Sequence, residues 1–303
     1  MTTVKPTEGF FDFSYAGATY QTYYKLFGDL GSSGKATPLI ILNGGPGSPH
    51  LYCLPHRLLH HRGLPVLFYD QLGSGKSSHL KDKPSDFWTV ELYLAELENV
   101  IKHFGLEENF SLLGHSWGGM LAMEYAVERQ PPGLRRLVLA DTLASMPTYI
   151  EGINELLREL PQELLDAISK NEAAGTFDDP EYQKACNVFY KKHMCKQDPW
   201  PQELQEGFAA MEEDKTVYLA MQGPSEFTIT GSLKEWSITE RLQAITVPTL
   251  ILSGDVDTAQ PVTVEPIFKN IARSKWVQLA NAGHCSFYDQ QESYMRIVGD
   301  FLV

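Results

Sequence analysis

Cysteine is scarce in this chain. Four residues, Cys53, Cys186, Cys195 and Cys285, are spread over 303 positions, with neither a close metal-type pair nor the density of a disulfide framework. Their spacing predicts free thiols and implies no zinc site; no cofactor or metal is expected. Positive charge is equally short: 25 Lys and Arg against 38 Asp and Glu leave a net charge of −13, which repels nucleic acid and anionic membrane. No window holds the roughly 18 consecutive apolar residues of a membrane span. The first residues, Met1 to Gly9, lack the basic start and apolar stretch of a secretory leader. Low-complexity runs and internal repeats are also missing. Together these absences predict a cytoplasmic protein with no nucleic-acid and no membrane partner; they leave the oligomeric state open.

What remains has the composition of a globular enzyme, 43% hydrophobic and 21% charged, long enough for one or two domains. Residues 9–27 hold two aromatic-rich runs around Gly17 and read as an antiparallel hairpin. Thr37–Asn43 and Pro65–Asp70 are short apolar runs followed by glycine loops, the pattern of buried parallel strands. From Thr89 to Phe104 the apolar residues Val90, Leu94, Leu97, Ile101 and Phe104 recur at helical spacing, and Gly105 supplies a stop. A strand at Asn109–Gly114, a helix at Trp117–Arg129 and a strand at Arg136–Asp141 continue the alternation, which predicts a mostly parallel α/β sheet. The rhythm breaks at 143–240, where helical patterns (Ile153–Leu160, Tyr182–Met194) are separated by prolines. It resumes with strands at Val247–Ser253 and Lys275–Leu279 and a last helix at Tyr288–Phe301. Residues 1–142 and 241–303 are therefore expected to form the core domain and 143–240 a helical insertion.

The segment Gly114-His115-Ser116-Trp117-Gly118-Gly119 lies between a predicted strand and a predicted helix, the context of a Gly-x-Ser-x-Gly nucleophile elbow. A strand turning at once into a helix leaves no room for side chains two positions either side of the serine, and the helix N-terminus favours negative charge beside Ser116. A serine hydroxyl is a weak nucleophile, so a base and an orienting carboxylate are needed. Asp257 is the expected carboxylate, from the spacing Gly254-x-x-Asp257 followed by Pro261, with Asp255 as the alternative. His284, after the last strand, completes the order Ser, Asp, His. His56, His60 and His61 sit in a turn-rich segment and are expected at the surface or at helix ends; His115 is expected to be an elbow neighbour, not the base. Asn43-Gly44-Gly45-Pro46-Gly47 is the expected oxyanion loop, with Gly44 and Gly45 as amide donors beside that of Trp117.

These residues resemble the α/β-hydrolase superfamily and, within it, the proline iminopeptidase family with the related L-amino-acid and proline amide hydrolases. Four segments carry the likeness: Asn43–Gly47, Asp70-Gln71-Leu72-Gly73-Ser74-Gly75-Lys76-Ser77, Gly114–Gly119 and Gly223-Pro224-Ser225-Glu226-Phe227. The resemblance implies an α/β-hydrolase fold with a helical cap over the sheet. It also implies that Glu226 binds the free amino group of a substrate's N-terminal residue, with Phe227 and Trp236 walling an apolar pocket. The chain departs from the family pattern at Asn43, where the family's loop begins with His, and at Leu72, where its turn carries Arg. Thr258 stands where some relatives place a second acidic anchor. The expected activity is release of an N-terminal amino acid, proline favoured, from small peptides or amides through an acyl-enzyme. The alternative is an esterase, lactonase or cyclase using the same triad. A non-catalytic binding protein is disfavoured by the complete Ser-Asp-His set, and a dehalogenase or epoxide hydrolase by the serine at the elbow.

Overall fold

In the computed structural model residues 5–30 and 36–303 are described; Met1 to Val4, part of the segment behind the expectation of no leader, lie outside them. Strands β1 (Thr7–Tyr15) and β2 (Ala18–Phe27) form the antiparallel hairpin, turning at Ala16 and Gly17. Then follow β3 (Leu39–Leu42), a 3-10 helical segment over His50–Arg62, β4 (Val66–Tyr69) and α1 (Val90–His103). Thr89 caps α1 by accepting the Leu92 amide, and Gly105 takes the positive φ that lets the chain leave it. Next are β5 (Phe110–His115), α2 (Trp117–Arg129) and β6 (Leu134–Ala140).

Between β6 and the next strand the chain runs through five helices: α3 (Met146–Arg158), α4 (Gln162–Ala174), α5 (Pro180–His193), α6 (Gln202–Glu213) and α7 (Thr216–Met221). The expected helical stretches fall in α3 and α5. The return is pinned where it began, because Ile238 donates to the Ala144 carbonyl and Met146 to that of Trp236, both at 2.9 Å. The core then closes with β7 (Thr249–Gly254), α8 (Pro261–Asn270), β8 (Ser274–Leu279), a short α9 (Ser286–Asp289) and α10 (Gln291–Leu302).

The eight strands form one sheet in the order β1-β2-β4-β3-β5-β6-β7-β8, antiparallel through the hairpin and its junction with β4 and parallel from there on. Every residue of β3, β4, β5 and β7 is buried, as a sheet covered on both faces requires. Alternation divides the side chains between two cores: Ile40 and Leu42 pack with α1, α2 and α8, whereas Leu39 and Ile41 pack with the His50–Arg62 segment and α10. Each fully buried Leu or Ile contributes about 1.5–3 kcal/mol. All the parallel strands point their carboxyl ends at one edge, where the loops after β3, β5, β6, β7 and β8 gather. No helix among the described residues is long and apolar enough to cross a membrane.

Candidate active site

Ser116 sits between β5 and α2 with φ +54° and ψ −121°, a conformation rare for a residue with a side chain. Packing enforces it. A methyl group on Gly114 would lie 2.2 Å from the Gly118 carbonyl oxygen, and one on Gly118 would lie 2.0 Å from that of Leu42. The turn is further held by the Ser116 amide donating to Ala140 at 3.0 Å and by the Thr142 hydroxyl donating to the Ser116 carbonyl at 2.7 Å. Trp117 is fixed from the side, its indole N–H donating to Gln71 Oε1 at 2.9 Å.

His284 Nδ1 lies 2.7 Å from Asp257 Oδ1, and both side chains are buried. The same oxygen accepts the Ala259 amide at 2.8 Å and the Thr258 hydroxyl at 3.3 Å, which locks the carboxylate rotamer. Burial works against an imidazolium here, yet the Asp257 charge and hydrogen bond, with a smaller share from Glu226, lift His284 above the ordinary histidine value. Asp255 is exposed and accepts the Ala282 amide instead. The backbone of the His284 loop is tied to the end of α5: His284 donates to the His193 carbonyl and Cys285 to that of Met194, each at 2.7 Å. His193 Nδ1 in turn donates to the Val256 carbonyl at 2.7 Å.

His115 is buried and neutral, since burial first and His284 second hold it well below the usual imidazole range. Its tautomer follows from its partners. Nε2–H donates to the His284 carbonyl at 2.8 Å, so Nδ1 must accept, and it does so from the Tyr52 hydroxyl at 2.9 Å. The Tyr52 oxygen accepts the Gly44 amide, and any side chain on Gly44 would collide with Tyr52 and Ser116. One hydrogen-bonded path thus joins the glycine loop, the elbow and the His284 backbone.

Ser116, His284 and Glu226 line one cavity of about 220 Å³, together with Gly45, Ser48 and Tyr52. A smaller recess beside it is lined by Gly45, Ser116, Trp117 and Glu226. The Glu226 carboxylate receives two phenol O–H donors, Tyr218 at 2.7 Å and Tyr149 at 3.0 Å. Burial, and then the Glu226 charge, push both phenols well above their usual range, so they remain donors. The helical layer adds Tyr182, Cys186 and Tyr190 of α5, Met194 just beyond it, and Phe208 and Met211 of α6 to the cavity wall, with the polar Gln183, Glu212 and Lys215 among them. The arrangement combines a strained serine, an imidazole oriented by a carboxylate, and an acid facing them across a cavity.

A family model described as alpha/beta hydrolase fold matches residues 37–291. The proline iminopeptidase of Saccharolobus solfataricus is 38% identical over 280 residues, 92% of this chain and 88% of the relative. Among solved structures, that of VinJ superposes with a TM-score of 0.93 at 38% identity, covering 98% of this chain and 99% of that one. The proline iminopeptidase of Mycobacterium smegmatis superposes with a TM-score of 0.89 at 37% identity, covering 97% of each chain. The chain belongs to the proline iminopeptidase family of α/β-hydrolases. It is a hydrolase, and its eight-stranded sheet is the fold expected from the sequence.

In this proline iminopeptidase relative several expectations need correction. Gly44 does not offer its amide to the cavity, because that N–H is already donated to Tyr52; Gly45 and Trp117 are the loop and elbow residues that line the recess. Phe227 does not wall the pocket: its ring packs on Phe189 at 5.1 Å and Tyr190 at 6.3 Å inside the helical layer. Trp236 does not either, because its indole N–H reaches Glu124 of α2 at 2.7 Å. His56 is completely buried, its Nδ1–H on the Cys53 carbonyl and its Nε2 accepting from Tyr294, and burial lowers it to about 4. Sequence reasoning missed Tyr52, Tyr149 and Tyr218, hydroxyl donors that no spacing motif marks. It also passed over Asp141, although a carboxylate directly after a buried parallel strand is a signal in itself. Among the described residues no group of three or more His, Cys, Asp or Glu is placed to hold a metal ion.

Proposed function

We propose that this protein is a serine aminopeptidase that releases an N-terminal amino acid, proline favoured, from short peptides or amino-acid amides. Ser116 Oγ attacks the scissile carbonyl while His284 Nε2, the nitrogen not engaged by Asp257, takes its proton. The amides of Gly45 and Trp117 stabilise the oxyanion. His284 then gives its proton to the departing amine, leaving an acyl-enzyme, and repeats the cycle with water as nucleophile. Asp257 fixes the tautomer of His284 and favours its charged form during transfer.

The observation that carries the peptidase reading is Glu226, a carboxylate held by two phenols on the cavity that also contains Ser116 and His284. An ammonium entering that space is the partner such an acid favours, and a neutral ester gains nothing from it. Relatives named proline iminopeptidase at 34–38% identity point the same way. In the same reading residues 143–240 act as the cap and 1–142 with 241–303 as the core. A cytoplasmic location is supported by four buried free thiols. A panel of prolyl, alanyl and N-acetyl-prolyl amides with simple aryl esters tests the proposal. Free-amine prolyl amides should have the highest kcat/KM, and a preference for the N-blocked amide or the ester would overturn it.

A further inference from the structure

Beside the His284–Asp257 pair lies a second carboxyl group that the reaction as written does not use. Asp141 directly follows β6, and its amide donates to the Leu252 carbonyl of β7 at 2.8 Å; its carboxyl group lies within hydrogen-bonding reach of that of Asp257, in the loop after β7. Both are completely buried. Asp141 holds φ +48°, a left-handed conformation that a side-chain-bearing residue adopts at some cost. Its Oδ2 accepts the Ser286 hydroxyl at 2.7 Å. Among the described residues its Oδ1 has no donor, and neither has Oδ2 of Asp257. A buried carboxylate oxygen without a donor is costly, and one proton between these two oxygens satisfies both.

We propose that Asp141 is held as the neutral acid and donates from Oδ1 to Oδ2 of Asp257, acting as a positioning residue for the reaction centre. The inference rests on the roles given above to Ser116, His284 and Asp257. The proton belongs on Asp141 because Asp257 Oδ1 already receives three donors, from His284, Ala259 and Thr258. Among the described residues Asp141 receives donors only from Ser286, and no cation faces it. His115 Nε2, 3.9 Å from Oδ2, is neutral; the Cys285 thiol and the Tyr294 phenol are kept protonated by burial. Burial, followed by the Asp257 charge, pushes Asp141 well above the usual carboxylate range. A neutral acid fixes the Asp257 rotamer without adding a second negative charge under His284. That second charge would hold the imidazolium too tightly for His284 to serve as a base.

Asp141→Asn keeps a donor for Asp257 and an acceptor for Ser286, whereas Asp141→Ala removes both. The readouts are the rate at which a serine-directed phosphonate labels Ser116, the pH dependence of that rate, and infrared difference spectra. Asp141→Asn should label within roughly threefold of wild type and Asp141→Ala about 10- to 100-fold more slowly. The acidic limb should move upward in Asp141→Ala only, because the Asp257 charge, no longer shared with a donor from Asp141, holds the His284 proton harder. Difference spectra at neutral pH of wild type against Asp141→Asn, and of Ser116→Ala against the Ser116→Ala/Asp141→Asn double variant, should both show the carbonyl band of a protonated carboxylic acid; the band of buried Glu96, lifted by burial to about 7, cancels in each difference. If Asp141→Asn is as damaging as Asp141→Ala, or neither difference spectrum holds the band, the proposal is overturned. Should Asp141→Ala fail to fold, the asparagine variant and the spectra still decide. Failure of the underlying active-site reading looks different: wild type would show no label on Ser116, whatever the infrared band does.

Discussion

Replacing Glu226 by Gln tests the substrate class at the atom that defines it. The glutamine keeps the size of the side chain and a carbonyl oxygen for one of the two phenols, so the cavity walls should stand. What is lost is the charge that an ammonium would meet. Removing one member of a desolvated charge pair costs about 2–5 kcal/mol, and the partial exposure of Glu226 argues for the lower part of that range. A loss of about 2–4 kcal/mol corresponds to a fall of roughly 30- to 900-fold in kcat/KM for a free-amine prolyl amide. A neutral aryl ester should be nearly unaffected in rate at its plateau. The pH profile adds a second, independent signature. Glu226 helps lift His284, so the acidic limb of kcat/KM should move to lower pH in the variant, even on the ester. In wild type with the amide, the bound ammonium cancels the Glu226 charge, and the limb of kcat should therefore lie below that of kcat/KM. Equal losses on amide and ester, with no movement of either limb, would mean that Glu226 only supports the helical layer, and the reasoning fails.

Ser116→Ala should abolish phosphonate labelling and lower turnover by several powers of ten while thermal unfolding stays cooperative; near wild-type turnover would remove the nucleophile. Asp257→Asn should reduce kcat by roughly three to four powers of ten. Asp255→Asn should change kcat little, a ranking that steady-state kinetics on both variants checks. Because His284 must be neutral to accept a proton and its value is raised, wild-type kcat/KM should climb through an apparent pKa above the ordinary ~6.5 of histidine. Tyr52→Phe strips the Gly44 amide of its acceptor and His115 Nδ1 of its donor, so it should destabilise the protein by about 1–3 kcal/mol in denaturant titrations.

The centre of the sheet was legible because Leu39–Leu42 and Val66–Tyr69 are short, wholly buried apolar runs and each is followed by a glycine-containing loop. Ser116, Asp257 and His284 fall where the alternation points, directly after β5 and in the loops that follow β7 and β8. Side-chain direction beyond the strands was not legible. Phe227 and Trp236 neighbour Glu226 in the sequence or share its insertion, yet one turns into the helical layer and the other onto α2. Aromatic residues fill either kind of space, and only the tertiary path decides which. His56 misled for a related reason: Pro55 and the adjacent His60 and His61 give the segment a turn-like composition, but it folds as a 3-10 helix packed under α10, with both His56 ring nitrogens satisfied. The single last helix expected from Tyr288 to Phe301 is split at Gln290. Pro266 inside α8 hid that helix altogether.

The tie between the end of α5 and the His284 loop limits how the helical layer can move. His193 and Met194 accept the backbone amides of His284 and Cys285, and the His193 ring reaches the Val256 carbonyl next to Asp257. Swinging this end of the layer away from the sheet would therefore carry the imidazole with it and separate it from Ser116. Any movement of the layer that keeps His284 beside Ser116 must therefore occur elsewhere along it, with the α5 end as a fixed pivot. It follows that mild denaturant, acting first on the exposed helices, should silence turnover as soon as the α5 anchorage frays, while the sheet beneath is still intact.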